Sequence, residues 1–124
     1  MKLFLVLGNQ LFNPKYLKKY SEYTFYMSED YDLCTFQKHH KLKILLYLSS
    51  MRSYRDELRE KGIRVIYNDC TSDFKKTYEK KLEKIIKEKK VKEISFFEIE
   101  DIFFEKRLKS FLKKKKIIFN EVKS

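Results

Sequence analysis

The sequence predicts an α/β domain built on a parallel five-stranded sheet, and three observations carry that prediction. Short apolar runs alternate with segments of helix length, the pattern left by strand–helix–strand crossovers. Those runs are close to continuous in apolar character, as expected of strands covered on both faces rather than wetted on one. The chain has 124 residues, of which 43% are hydrophobic, with nine Tyr and eleven Phe. That supplies one core and is too short for two, so residues 1–124 read as a single domain.

The first strand is Leu3 to Leu7, ending at Gly8-Asn9. The opening Met1-Lys2 and the apolar run behind it have the flavour of a signal peptide, but the run is short and lacks an A-x-A-type cleavage site. The next segment, Asn13 to Glu22, holds the single proline, Pro14, and has room for a brief helix over Lys15 to Tyr20. A second strand follows at Tyr23 to Met27. From Lys38 to Lys61, the spacing of Tyr47, Met51, Tyr54 and Leu58 makes one apolar helical stripe, and Gly62 supplies its stop. The third strand is Ile63 to Tyr67. Over Asp73 to Lys90 the stripe is Phe74, Tyr78, Leu82 and Ile85, with Thr71, Ser72 or Asp73 as N-cap and Lys and Glu on the other face. The fourth strand is Glu93 to Glu98. Asp101 then caps a helix carrying Phe104, Leu108 and Phe111, closed by Lys113-Lys114-Lys115-Lys116, where cations suit a helix C-terminus. Ile117 to Val122 is the fifth strand.

Composition narrows the function classes. No apolar run reaches the roughly 18 residues that span a bilayer, so no membrane partner is expected. The two cysteines, Cys34 and Cys70, are far apart with no export signal, which predicts reduced thiols and a cytoplasmic protein. Net charge is +11, which favours contact with polyanions. The excess is mostly lysine, though, and Lys, Ile, Phe, Tyr and Asn are what an AT-rich genome supplies; such lysines commonly form only a solvated face.

In an open parallel sheet, ligands sit outside the carboxyl ends of the strands, near the point where strand order reverses. That directs attention to Gly8-Asn9-Gln10-Leu11-Phe12. Gly8 permits a sharp turn and close approach, while Asn9 and Gln10 offer amides that both donate and accept. These groups suit the edge of an uncharged heterocycle, although an ordinary strand-ending turn uses the same residues. Dinucleotide fingerprints and P-loops need several glycines around phosphates, and this chain has two glycines in all. After strand two, Glu29 is placed to accept hydrogen bonds from a ring N–H or a polyol, and Asp30 reads as a solvated loop acid. Cys34, His39 and His40 lie close in sequence, but adjacent histidines are about 100° apart on a helix and no C-x-x-C or H-x-x-x-H spacing occurs, so no metal site is expected. No catalytic pair is identifiable. Two other readings of the chain are an adenine-nucleotide enzyme on the same scaffold and a basic nucleic-acid-binding module. The Tyr and Phe residues interleaved with lysines fall at core periods, which weakens a base-stacking role.

Three stretches taken together carry a resemblance: Leu5-Val6-Leu7-Gly8-Asn9-Gln10-Leu11-Phe12; Met27-Ser28-Glu29-Asp30; and His39-His40-Lys41-Leu42-Lys43 leading into Met51-Arg52-Ser53-Tyr54-Arg55-Asp56-Glu57-Leu58. Phe97-Glu98-Ile99-Glu100-Asp101 is a looser fourth. In order and spacing the chain resembles the N-terminal domain of the photolyase-related proteins, specifically the iron–sulfur bacterial cryptochromes and photolyases, over essentially its whole length. The resemblance implies a Rossmann-like three-layer α/β domain with a five-stranded parallel sheet. In that family a large helical domain follows, holding FAD and a four-cysteine iron–sulfur cluster. Two cysteines cannot supply four cluster ligands, so FAD, cluster and DNA-lesion chemistry are expected only in a longer parent protein, and this chain is expected to be non-catalytic.

Family members with an antenna carry 6,7-dimethyl-8-ribityllumazine in this domain and pass its absorbed energy to the flavin. By resemblance, Gly8, Asn9, Gln10, Leu11 and Glu29 map onto the chromophore pocket, with Cys34 and His40 near it. Relatives commonly read Gly-Asp-Gln-Leu where this chain has Asn9, and an amide can donate where a carboxylate only accepts. The implied partners are the chromophore, a C-terminal helical FAD domain and, through the parent protein, DNA.

Overall fold

A computed structural model of the chain describes residues 1–8, 10–29, 41–69 and 76–123, apart from the side chains of 41–44. The strands are β1 (Lys2–Leu5), β2 (Thr24–Ser28), β3 (Val65–Asn68), β4 (Glu93–Phe97) and β5 (Ile118–Val122). The helices among the described residues are α1 (Lys41–Glu60), α2 (Tyr78–Lys89) and α3 (Ile102–Lys114). Sheet order is β3-β2-β1-β4-β5 and every neighbouring pair is parallel. The expected three-layer, Rossmann-like α/β architecture is therefore the one observed. Chain order reverses between β1 and β4, which makes the carboxyl ends of those two strands the switch point.

Alternation along β1 decides the two core layers. Leu3 and Leu5 point to one face, where Tyr26, Ile94 and Phe96 join Tyr78 and Leu82 of α2 and Leu108 and Leu112 of α3. Phe4 and Val6 point to the other, with Phe25, Met27 and Phe97 under Met51, Tyr54 and Leu58 of α1. Phe4 is the hub of that second layer, its ring centroid 4.8 Å from Tyr20, 5.2 Å from Phe25 and 5.0 Å from Phe97.

Local chemistry explains most boundaries and a few departures. Gly62 ends α1 at φ 78°, a left-handed conformation that glycine adopts without a Cβ clash. The helix expected from Asp73 instead begins at Tyr78, because Thr77 is the cap and its side chain accepts from the Lys80 N–H. Thr71, Ser72, Asp73 and Phe74 lie outside the described residues. At α3, Asp101 caps as expected, accepting from the N–H groups of Phe103 and Phe104. The buried stripe there is Phe104, Leu108 and Leu112, and Phe111 is only partly buried, since spacing by four keeps 104, 108 and 112 in one line.

In place of one short helix between β1 and β2 there are two 3-10 turns, Pro14–Tyr16 and Lys18–Tyr20. Asn13 accepts from the Lys15 N–H ahead of Pro14, which tightens the first turn. β5 departs from the expectation of a strand covered on both faces: it is the sheet edge, and Ile118 is 65% exposed.

Candidate functional site

At the switch point, β1 runs into a tight turn in which the Gln10 N–H donates to the Leu7 carbonyl and the Phe12 N–H donates to the Gln10 carbonyl. This turn aims the Gln10 side chain across the crevice to β4. Its Nε2 donates to the Glu98 carbonyl at 2.8 Å, tying together the two strands where they diverge. Gln10 is only 6% exposed, and its Oε1 is buried with no hydrogen-bond partner among the described residues. An unmatched buried acceptor is costly, about 1–3 kcal/mol, so it marks a place built for a donor.

Gly8 earns its place differently from the sequence expectation. Its backbone is not left-handed; what it provides is space, because a Cβ there would lie 1.9 Å from the Tyr47 hydroxyl and 2.3 Å from the ring carbon that bears it. The close approach is thus to the tip of an α1 side chain. Farther along, the Tyr54 hydroxyl donates to the Phe12 carbonyl and anchors the end of the turn to α1. Burial, aided by nearby Glu57, pushes the Tyr54 phenol up to about 12. Phe12 meets Phe97 edge-on with centroids 5.0 Å apart. Leu11 borders a shallow groove of about 730 Å³ along α1, together with Leu46, Ser49, Ser50 and Ser53.

One strand over, Glu29 follows β2 and is fully buried. Its carboxylate accepts two hydrogen bonds from Arg52 of α1, Nε to Oε2 at 2.7 Å and Nη2 to Oε1 at 2.9 Å, a bidentate pair that fixes the guanidinium plane. The Tyr67 hydroxyl of β3 donates to Oε2 as well. Desolvation, and then this bond to Glu29, holds the Tyr67 phenol well above its ordinary value. Arg55 lies over the Tyr67 ring, 4.6 Å from its centroid. Glu29 thereby presents the rim with an oriented Arg52 and Tyr67, rather than with a bare carboxylate. Ser28, beside it, has a buried Oγ without a partner among the described residues.

The structure brings Gly8, Gln10, Leu11 and Glu29 to one rim, while Asn9, Cys34, His39 and His40 lie outside the described residues. The sequence alone assigns no site role to Tyr47, Arg52, Tyr67 or Lys81. The sequence puts Lys and Glu of this helix on the face away from the apolar stripe, yet Lys81 is 3% exposed and its Nζ donates to the Glu29 carbonyl at 3.1 Å. The signal was available: Tyr78, Lys81, Leu82 and Ile85 stand at i, i+3, i+4 and i+7, so Lys81 lies on the apolar stripe. Arg52 likewise directly follows Met51, one residue off its own stripe.

Among the described residues no group of three or more His, Cys, Asp or Glu side chains is arranged to hold a metal ion. None of the helices among them is long and apolar enough to cross a membrane. The rim offers amide, hydroxyl and guanidinium groups around an apolar turn, the mix that orients a small ring bearing N–H and C=O edges.

Sheet order, switch-point crevice and the turn after β1 together define a doubly wound α/β domain of the Rossmann-like class. Residues 4–124 match the family of deoxyribodipyrimidine photo-lyase-related proteins, and the chain belongs to that family. No curated protein matches it.

Proposed function

We propose that this chain is a non-catalytic antenna domain of a photolyase-related, light-driven DNA-repair protein or photoreceptor of the iron–sulfur type, holding 6,7-dimethyl-8-ribityllumazine at the carboxyl rim of the sheet. The observation that carries the reading is the buried Oε1 of Gln10 at the switch point, which has no hydrogen-bond partner among the described residues. A lumazine offers N–H and carbonyl edges to Gln10 and to Arg52, and ribityl hydroxyls to groups such as Ser28. These residues fit the molecule chemically. When bound, the chromophore supplies light absorption; the chain's own residues orient the ring, shield it from water and hold it still. FAD and the cluster belong to a helical domain of a longer parent protein.

Titrating the protein with the lumazine while following absorbance and fluorescence tests the proposal. A shifted, saturable spectrum is expected, with affinity reduced about tenfold in Gln10→Leu, the size of one lost hydrogen bond. An unshifted spectrum at all concentrations would exclude lumazine binding, and full affinity in the variant would remove Gln10 from the site.

A further inference from the structure

Two solvent-facing helix surfaces, on opposite sides of the sheet, complement one another in shape and charge. On α1 the outer surface is the groove of about 730 Å³ that Leu11 borders. Leu46 stands at its rim end, Ser49, Ser50 and Ser53 form its middle, and Asp56, Glu57 and Glu60 close it. On α3 the outer surface begins with Phe103, which at 78% is more exposed than any other large apolar side chain among the described residues. Lys106, Ser110, Lys113 and Lys114 continue it, all exposed. α1 packs on the core layer of Phe4 and α3 on that of Leu3, so the two surfaces look away from each other.

Ion pairing within the fold leaves both surfaces unmatched. Among the cations of α3, Arg107 pairs with Glu79 at 2.8 Å, Lys109 with Glu121 at 3.1 Å and Lys115 with Glu83 at 3.0 Å. Lys106, Lys113 and Lys114 have no ion-pair partner among the described residues, and neither do Glu57 and Glu60 of α1. In a chain of net charge +11 cations abound, yet these two carboxylates meet none of them in their own fold. The spacing matches too. Leu46, Ser53 and Glu57 stand at i, i+7 and i+11, and Phe103, Ser110 and Lys114 repeat that spacing: apolar, small, then charges of opposite sign. At the same offset Asp56 aligns with Lys113. Residues so spaced lie on one line along a helix, about 16 Å long.

We propose that the outer surface of α1 receives the outer surface of α3 from a second copy of this chain, the two helices running parallel. Phe103 then sets on Leu46 and Leu11, Ser110 meets the serines, whose small side chains let the helices approach, and Lys113 and Lys114 reach Asp56, Glu57 and Glu60. Two helices crossing at about 20° stay in contact over such a length. The contact is heterologous. Each copy offers one surface of each kind, on opposite sides, so addition continues past a dimer into an open row. Both helices return between parallel strands and so run antiparallel to them, and a parallel helix pair sets the rims of successive copies facing the same way. The net charge opposes close approach of copies, and one helix pair buries less than a standard interface, so the row is weak and concentration-dependent. The inference uses neither Gln10 nor Glu29 and does not rest on the proposed function.

The test is sedimentation velocity of the whole chain from about 10 to 500 μM at physiological salt, the range of a weak interface. The sedimentation coefficient should climb with concentration without levelling at a dimer value. Glu57→Lys/Glu60→Lys and Lys113→Glu/Lys114→Glu each set like charges against one another across the contact, and each variant alone should associate at least about tenfold more weakly. All four positions are exposed, and neither change removes an ion pair within the fold. In an equal mixture of the two variants, opposite charges face each other at every contact between unlike copies, and association should return toward the parent's level. A parent that stays monomeric throughout would overturn the proposal. So would association that survives in both variants, which places the contact on another surface such as the β5 edge, or a mixture that associates no better than its components.

Discussion

Tyr54 shows how a single side chain ties the turn after β1 to the helix behind it. Its hydroxyl donates to the Phe12 carbonyl, and burial raises its phenol from an ordinary 10.0 to about 12. A raised folded value means stability that is complete below the unfolded value and lost as pH climbs toward the folded one. Between about pH 10 and 12 the unfolded chain ionises first, while the folded phenol keeps its proton, so the unfolded state gains. Tyr54→Phe should cost about 1 kcal/mol at neutral pH, the worth of the hydrogen bond, and should lose less stability than the parent over that alkaline window. Urea melts at several pH values would check this; equal alkaline losses in both proteins would mean that the phenol is not sequestered. Tyr67, raised for similar reasons, titrates in the same direction, so the variant's curve flattens without becoming level. Gly8 and Tyr47 make the complementary point about space: the turn and α1 fit because one residue lacks a Cβ.

Elements were legible in proportion to how local their determinants are. The caps illustrate it. Asp101 sits directly before an apolar helical stripe, and its Oδ1 accepts from the N–H groups of Phe103 and Phe104 at 3.0 and 3.1 Å, as its sequence position predicts. Asp101→Ala should therefore cost about 1–2 kcal/mol in chemical denaturation, whereas Asp101→Asn should be nearly neutral; a similar loss in both would assign the effect to charge rather than to capping. Thr77 was harder to read, because three other cap residues precede it at 71–73, and propensity alone does not choose among them. The strands were found from apolar runs, but the runs do not say which is an edge, and β5 proved to be one. Gln10 and Glu29 were legible as rim residues because the strand-end rule depends only on strand order. Their partners were not: Glu98, Arg52 and Tyr67 come from 23 to 88 positions away, and only the folded chain brings them together.

At the scale of the whole molecule, a parallel sheet is polar in the architectural sense, with ligand-facing turns at one end and helix C-termini at the other. Here the two ends differ in chemistry as well as position. Among the described residues the rim holds the Gln10 amide and an internally paired carboxylate, Glu29, while the far end holds solvent-facing lysines. A strand of five residues such as β4 separates the ends by about 17 Å, roughly twice the Debye length of about 8 Å at physiological salt. An uncharged ligand at the rim also adds no field for the lysines to feel. Lumazine affinity should therefore barely vary between about 50 and 200 mM salt. The fluorescence titration repeated at low and high salt measures this. A change of about fivefold or more, about 1 kcal/mol, would mean that surface charge reaches the ring at the rim. The charged pair at the rim, Arg52 with Glu29, is buried on the carboxylate side and bonded internally, so salt has little to screen there and independence is the expected result.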